Sequence, residues 1–550
     1  MSEEKLNNSN DSPLILCAII FVLGVVGKKL HDVRPYFVDW LERHRFTVAT
    51  TAGLFGITLS ILGYAVFQVL NENRLRNKYL NSVTEQAVNS VYAGRTTGTD
   101  EEIYIPIEAR RMHTQVIGTT NAGKTESVII PWAVSDIQDK RGFVIVDGKA
   151  DQSFITKIYG YVKFFDRSPA FKLFSLQNPN HSHTFNPLLG GTPEEVAERV
   201  FNSFEFENPY YKAVQYEVFS QVLRIFDSAK LKPTFLRVYE AIKNPEALYS
   251  LAVDGKDASL EGWASGFRSI SPSDRDDRTS GLLAALSHFA FGSHAKLFNT
   301  DEPDIDLDRV IRGSEMVYFQ LPVLKAAFLG KATGKLVLQC LQSAVANRHQ
   351  TGNKEHPFFS VYLDDFTEYL YPGFVSLLNK SRSANVGVVF AHQSLGDIKA
   401  LGEEVATSIL TNSNLKVIMR GNDPDSAEYF AKVIGTKESE KVTERAESSV
   451  FGRSRTGQGS LREVEEFIVH PNVIKRNMGV GEALVIVPHH LGSKVVRLKF
   501  QMVPALLQTE EMPKPQERPV LGLVITPTQN PQEKSQTTQI LSSQTQKEAA

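Results

Sequence analysis

Residues 118–125 read Gly118-Thr119-Thr120-Asn121-Ala122-Gly123-Lys124-Thr125. This is the pattern Gly, four residues, Gly-Lys, then Ser or Thr. In a chain of 550 residues a chance match arises about 2% of the time. The surroundings narrow it further. A strand-like run, MHTQVIG (112–118), precedes the motif, and ESVIIPWAV follows it as a helix. Strand, glycine turn and helix together form a phosphate cradle. The glycines let backbone N–H groups turn inward, and the helix start adds the positive end of its dipole. Lys124 is placed to reach the β and γ phosphates, and Thr125 to ligate Mg²⁺.

A cradle of this kind needs a parallel sheet. Apolar runs at 112–118, 142–147, 316–322, 358–365, 386–392, 415–420 and 483–488 alternate with helix-like segments. Short β-branched runs separated by helices indicate an α/β fold whose mainly parallel sheet is covered on both faces. The stretch 189–300 lacks such runs and has helical periodicity. Its Thr192-Pro193-Glu194-Glu195 is a capping box with proline at the first helical position. It is expected to be an all-α domain inserted into the sheet domain.

The cradle also needs carboxylates at the end of another strand. SVYLDD supplies Asp364 and Asp365; acids ending an apolar strand are costly unless a cation or donors meet them. Asp364 is assigned to the Mg²⁺ shell and Asp365 to activation of the attacking water. FVIVDGKAD places Asp147, Lys149 and Asp151 after the strand that follows the cradle helix. A right-handed crossover would make that strand a neighbour of the cradle strand, and its end either lines the same edge or is a capped turn. Gln393, just past VGVVFAH, can sense a γ-phosphate or orient water. Arg382 is a candidate arginine finger acting from a neighbouring subunit, with a solvated loop cation as the alternative. Arg420 is a weaker candidate.

Charge and cysteine content exclude several other classes. Lys+Arg total 60 against 62 Asp+Glu, so there is no chain-wide basic footprint for nucleic acid, and any such contact must use a local strip. Two cysteines, Cys17 and Cys340, rule out a disulfide scaffold and a cysteine zinc site. The histidines form no HExxH or HxxxH spacing. Candidate DNA contacts are Arg453, Arg455 and Arg462 in a Gly/Ser-rich stretch expected to be a mobile loop, Arg268, Arg275 and Arg278, and Tyr210, Tyr211 and Tyr216 as stacking or helix-packing residues.

At the start of the chain, residues 13–27 and 47–70 carry no charge. Extended to Leu30 by snorkelling lysines, the first is expected to span a membrane of roughly 30 Å core, and the second is long enough to do so. A cleaved signal peptide or a surface-lying helix is the alternative for the first. Lys28, Lys29, Arg34, Arg43 and Arg45 between them favour a cytoplasmic loop, whereas nucleotide binding places the large C-terminal part, and both termini, in the cytoplasm; the latter is adopted.

The two N-terminal segments, the phosphate cradle, FVIVDGKAD, FNPL (185–188), YLDDF (362–366), Arg382 with AHQSL (391–395), and NSNLKVIMRGNDPDSAEYF (412–430) together resemble type IV secretion coupling proteins. These are RecA-like P-loop motors of the FtsK/HerA-like superfamily that serve bacterial conjugation at the inner membrane. The resemblance covers about 1–505. It implies ATP and Mg²⁺ as cofactors, ATPase activity, contacts at Gly118–Thr125, an acidic pair at Asp364/Asp365, a phosphate sensor at Gln393 and a trans-acting Arg382. It also implies a homo-hexamer that moves single-stranded DNA or a relaxase–DNA complex, with accessory proteins, to a secretion channel. The insert would be the all-α domain at the channel mouth.

Three features depart from the family. Asp365 stands where Glu is usual, the D-x-K-G run reads Asp147-Gly148-Lys149-Ala150, and the loop between the two spans is short. Two other functions compete: an ATPase receptor for protein effectors only, and a nucleotide-binding membrane scaffold with weak hydrolysis. The expected organisation is a membrane region 1–75 with spans 13–30 and 47–70, a nucleotide-binding domain in two parts (76–188 and 301–505) around the insert 189–300, and a disordered tail 506–550.

Overall fold

The structure is a computed structural model. It describes residues 42–80, 89–206, 208–350, 356–449, 452–489 and 492–506, with isolated positions before 42 and residues 512, 513, 515 and 518–523. The chain divides into two compact units, Met1–Ser82 and Val83–Ala550.

In the first unit, Arg45–Leu80 is one helix of 36 residues. It leaves Leu54, Phe55, Ile57, Ile61, Leu62 and Phe67 exposed. Among the described residues, no helix is long and apolar enough to cross a membrane. The expected two-span region is thus not borne out there. The segment 13–27 lies outside the described residues.

The second unit is built on an eleven-stranded sheet. Its strands are β1 (Ser90–Thr96), β2 (Glu102–Pro106), β3 (Thr114–Ile117), β4 (Gly142–Asp147), β5 (Phe171–Ser175), β6 (Met316–Gln320), β7 (Phe359–Asp364), β8 (Val386–His392), β9 (Leu415–Met419), β12 (Glu482–His489) and β13 (Gly492–Phe500). The intervening β10 (Thr436–Ser449) and β11 (Gly452–Phe467) form a separate hairpin. The order is β2-β1-β13-β12-β9-β3-β8-β7-β4-β6-β5. From β9 to β5 every pairing is parallel; from β9 to β2 every pairing is antiparallel. All seven apolar runs are strands. β4, β7 and β8 are buried at every position, as helices on both faces require.

Two expectations are corrected. β4 does not neighbour β3, because β8 and β7 intervene, so the crossover from the cradle helix skips two strands. The stretch 452–462 is not a loop; it pairs antiparallel with β10.

The chain between β5 and β6 is helical: Pro193–Ser203, Pro209–Ser228, Phe235–Lys243, Pro245–Asp254, Ala258–Ser269 and Pro272–Ala290. Thr192 and Glu195 form the expected reciprocal cap. Asn186 of the FNPL run holds both ends of this excursion. Its Nδ2 donates to the Pro233 and Thr300 carbonyls, each at 2.9 Å, and its Oδ1 accepts from Leu188 N–H. Phe185 beside it packs on Phe174 and Phe319 of the sheet. One continuous apolar core joins these helices to the sheet.

Three of the six candidate DNA contacts on the helices are engaged in packing. Arg268 pairs with Glu246 and lies 3.9 Å over the Tyr249 ring. Arg275 donates to the Ile270 carbonyl, and Tyr216 packs on Phe201. Tyr210 stays exposed. Within the stretch expected to be a disordered tail, residues 518–523 dock on the helices.

Candidate active site

The cradle turns where its sequence requires. Asn121 and Gly123 take positive φ, 64° and 98°, a conformation that glycine adopts without strain. A Cβ on Gly118 would come 2.9 Å from the Met419 side chain, so only glycine fits between β3 and β9. The helix begins with a wide π turn, Thr125–Ile129, and continues as Ile130–Gln138. The cradle is backed by the turn before β12, where Gly481 N–H donates to the Ala122 carbonyl at 2.9 Å.

β8 lies between the cradle strand β3 and the acidic strand β7, so three strand ends converge. Thr125 Oγ1 donates to Asp364 Oδ2 at 2.8 Å. The other oxygen of Asp364, Oδ1, is buried and has no hydrogen-bond partner among the described residues. Burial, reinforced by Asp365, pushes the Asp364 carboxyl above the usual carboxylate range; Lys149, Thr125 and Lys124 oppose the rise. A divalent cation would satisfy the orphaned oxygen, so this donor set fits Mg²⁺. Lys124 Nζ donates to the Gly118 and Thr119 carbonyls at 2.7 and 3.2 Å. Burial lowers its ammonium, and the Asp364 charge opposes this.

Gln393 reaches the cradle, its Oε1 accepting from Thr120 Oγ1 at 3.2 Å. Asp397 holds the turn beneath it by accepting from the Gln393 and Ser394 N–H groups. Asp365 has left-handed φ (49°) and pairs with Lys149 at 2.9 Å. That contact exists because β4 neighbours β7, with Asp147 opposite Asp364. Asp147 also forms a capped turn, accepting from the N–H groups of Lys149, Ala150 and Asp151 and from Tyr318 Oη. Burial pushes it up to about 7, with Asp364 adding and Tyr318 opposing. The two alternatives for this strand end therefore hold together.

The structure thus gathers Gly118–Thr125, Asp364, Asp365 and Gln393 at one sheet edge. Arg382 is elsewhere. It precedes β8, exposed at the strand's opposite end, so the seven residues of β8 separate it from Gln393 by roughly 20 Å. Arg420, ranked lower on sequence, is beside the cradle: its carbonyl accepts from Thr119 N–H at 2.9 Å. The sequence also did not reveal a buried polar row beneath the cradle. Lys416 Nζ donates to Gln115 Oε1 at 3.2 Å, and the Gln115 amide meets His392 Nε2 at 3.0 Å. It ties β9, β3 and β8 together just before their functional ends.

Residues 359–478 match the family described as the TraM recognition site of TraD and TraG. The type 4 coupling protein DotL of Legionella pneumophila subsp. pneumophila (strain Philadelphia 1) is 21% identical, over 62% of this chain and 52% of its own length. In fold, the chain is similar to the unbound bacterial conjugative coupling protein TrwBdeltaN70, with TM-score 0.58, 13% identity, and coverage of 79% of this chain and 94% of that one. TrwB in complex with ADP and Mg²⁺ gives TM-score 0.52 at 14% identity, covering 75% of this chain and 91% of that one. These matches support a type IV coupling protein. The fold is similar to that of these solved structures: a RecA-like α/β P-loop fold with a mostly parallel sheet. The chain spans about half the length of the curated relative it matches.

Proposed function

We propose that this protein is a type IV coupling protein, an ATPase that recruits single-stranded DNA, or a relaxase–DNA complex, and drives it to a type IV secretion channel at the bacterial inner membrane. The observation that carries the proposal is the meeting of Thr125, Asp364 and Gln393 with the Gly118–Thr125 cradle. In support, the TrwB fold relative is described in complex with ADP and Mg²⁺. ATP bound here supplies the γ-phosphoryl group, and Mg²⁺ offsets its charge. The N–H groups of Gly118–Thr125 surround the phosphates, and Lys124 swings from its carbonyls toward them. Thr125 and Asp364 would hold the metal. Asp365 accepts a proton from the attacking water, and Gln393 orients that water and reports phosphate loss through Thr120.

Arg382 lies at the opposite end of β8 from its own cradle, which supports a role at the cradle of an adjacent copy in a homo-hexamer. The exposed apolar residues of the helix Arg45–Leu80 support association with a membrane, with the ATPase part in the cytoplasm. A second proposal, a receptor for protein effectors only, draws on the near-neutral charge, 60 basic against 62 acidic residues.

Steady-state ATP hydrolysis by the full chain in lipid, with and without single-stranded DNA, separates the two. Stimulation by DNA of severalfold or more is expected. Turnover that ignores DNA but rises with a cargo protein supports the second proposal instead.

A further inference from the structure

After β13 the chain crosses the helix Gln152–Phe164, where Tyr161 Oη donates to the Pro504 carbonyl at 2.8 Å. Further along comes Arg518-Pro519-Val520-Leu521-Gly522-Leu523. These six residues lie in a groove beside the helix Phe235–Lys243 and hold it by both backbone and side chain. Arg518 pairs with Asp304 at 2.8 Å and Glu302 at 3.7 Å. Leu521 N–H donates to the Asn299 carbonyl at 3.0 Å, and the Leu521 carbonyl accepts from Thr234 Oγ1 at 3.1 Å. Leu523 N–H donates to Glu240, and its side chain packs on the core. The backbone comes so close that a Cβ on Gly522 would lie 3.0 Å from Glu240 and 3.3 Å from Leu236.

The walls of the groove are also tied to one another by bonds that do not involve the segment. Asn299 is fully buried; its Oδ1 accepts from Leu236 N–H, and its amide donates to the Phe289 and Ala295 carbonyls. Thr234 is buried and caps the helix by accepting from Arg237 N–H. Asp304 is held by the N–H and hydroxyl of Thr184. A surface already organised before contact loses little entropy when a peptide is added. Extended backbone held by main-chain bonds, a pocket for one apolar residue and an acidic pair for one cation together constitute peptide recognition.

We infer that this groove is a peptide-binding site, filled in cis by residues 518–523. It recognises an extended segment carrying Arg and, five residues later, an apolar side chain. A partner protein presenting that pattern takes the place of the tail. The tether gives the tail an effective concentration in the millimolar range, so only a segment that binds better, or one brought close by a second contact, displaces it. This site lies on the helices, away from the nucleotide cradle, and does not depend on the assigned motor activity.

The test uses a fluorescein-labelled peptide of residues 514–526, titrated by anisotropy onto the full chain and onto the full-length variant Arg518→Glu/Leu523→Asp. The variant should bind the peptide at least tenfold more tightly than the unchanged chain, because its own tail no longer competes. A peptide carrying Arg518→Glu should not bind. Equal binding by both proteins, binding by neither, or indifference to the peptide's charge reversal overturns the inference. If the double variant does not melt cooperatively, the single variant Arg518→Ala, which removes only the ion pairs, gives the same comparison with the same expected order.

Discussion

Asp364 meets two demands at once. Thr125 holds one of its oxygens, while the other is buried with no partner among the described residues. Thr125→Ala should therefore weaken Mg²⁺-dependent ATP binding by tenfold or more while leaving binding in chelator nearly unchanged; calorimetric titrations with and without Mg²⁺ check this. Lys149→Met leaves Asp365 unpaired, and turnover should fall by about tenfold with KM little changed, since small misplacement of a catalytic group costs rate steeply. Lys149→Arg should restore part of the loss. Buried histidines make a separate prediction. Burial holds His113 and His392 down at about 4, whereas a free imidazole titrates near 6.5. Between those values the unfolded chain binds more protons than the folded one. The stabilisation is complete above about pH 6.5 and is lost as pH falls toward about 4, each residue contributing on the order of 3 kcal/mol. Urea midpoints at pH 7 and 4.5 should show this loss, and His113→Gln should reduce it. At this scale the cradle was legible because its chemistry demands contiguous residues. The Lys149–Asp365 pair and the Lys416–Gln115–His392 row were not. Their members are far apart in sequence, and a buried polar side chain inside an apolar run carries no sign of its partner.

At the scale of elements, six of the seven parallel strands were legible because burial on both faces leaves nearly unbroken apolar runs; β5, FKLFS, was missed because a lysine interrupts a short run. β1, β2 and β13 were missed because they are partly exposed, with polar residues interrupting the pattern; β13 is buried at only three of its nine positions. The stretch 452–462 of β11, rich in Arg, Gly and Ser, read as a loop for the same reason, and the charged β10 was missed. The cradle helix is fastened to β7 by a buried network that was also not anticipated. Arg110 donates to both oxygens of Asp136 at 2.9 and 2.8 Å, and Ser360 and Tyr362 of β7 donate to Asp136 as well. Removing one member leaves a buried charge without its partner. Asp136→Ala should therefore cost about 3–5 kcal/mol, measured by chemical denaturation, whereas Tyr362→Phe should cost about 1–3 kcal/mol.

Across the whole molecule, strand order was the least legible property. Local sequence indicates that β3 and β4 are strands, but only long-range pairing inserts β8 and β7 between them. That insertion places Gln393 between the cradle and the acids and sets Lys149 against Asp365. It also leaves Arg382 at the far strand end, where its proposed role is at the cradle of another copy. Arg382→Ala should then keep ATP affinity within about twofold and lower turnover by about a thousandfold. Mixed with Lys124→Ala chains, it should recover part of the rate, since each defect is supplied by a different subunit. The most direct measurement is ATP hydrolysis by the full chain in lipid with Mg²⁺, beside Lys124→Ala and Asp364→Asn. The account predicts measurable turnover by the unchanged chain and a loss of at least a hundredfold in both variants, with the fold retained. Turnover that survives either substitution would contradict the assignment of this site.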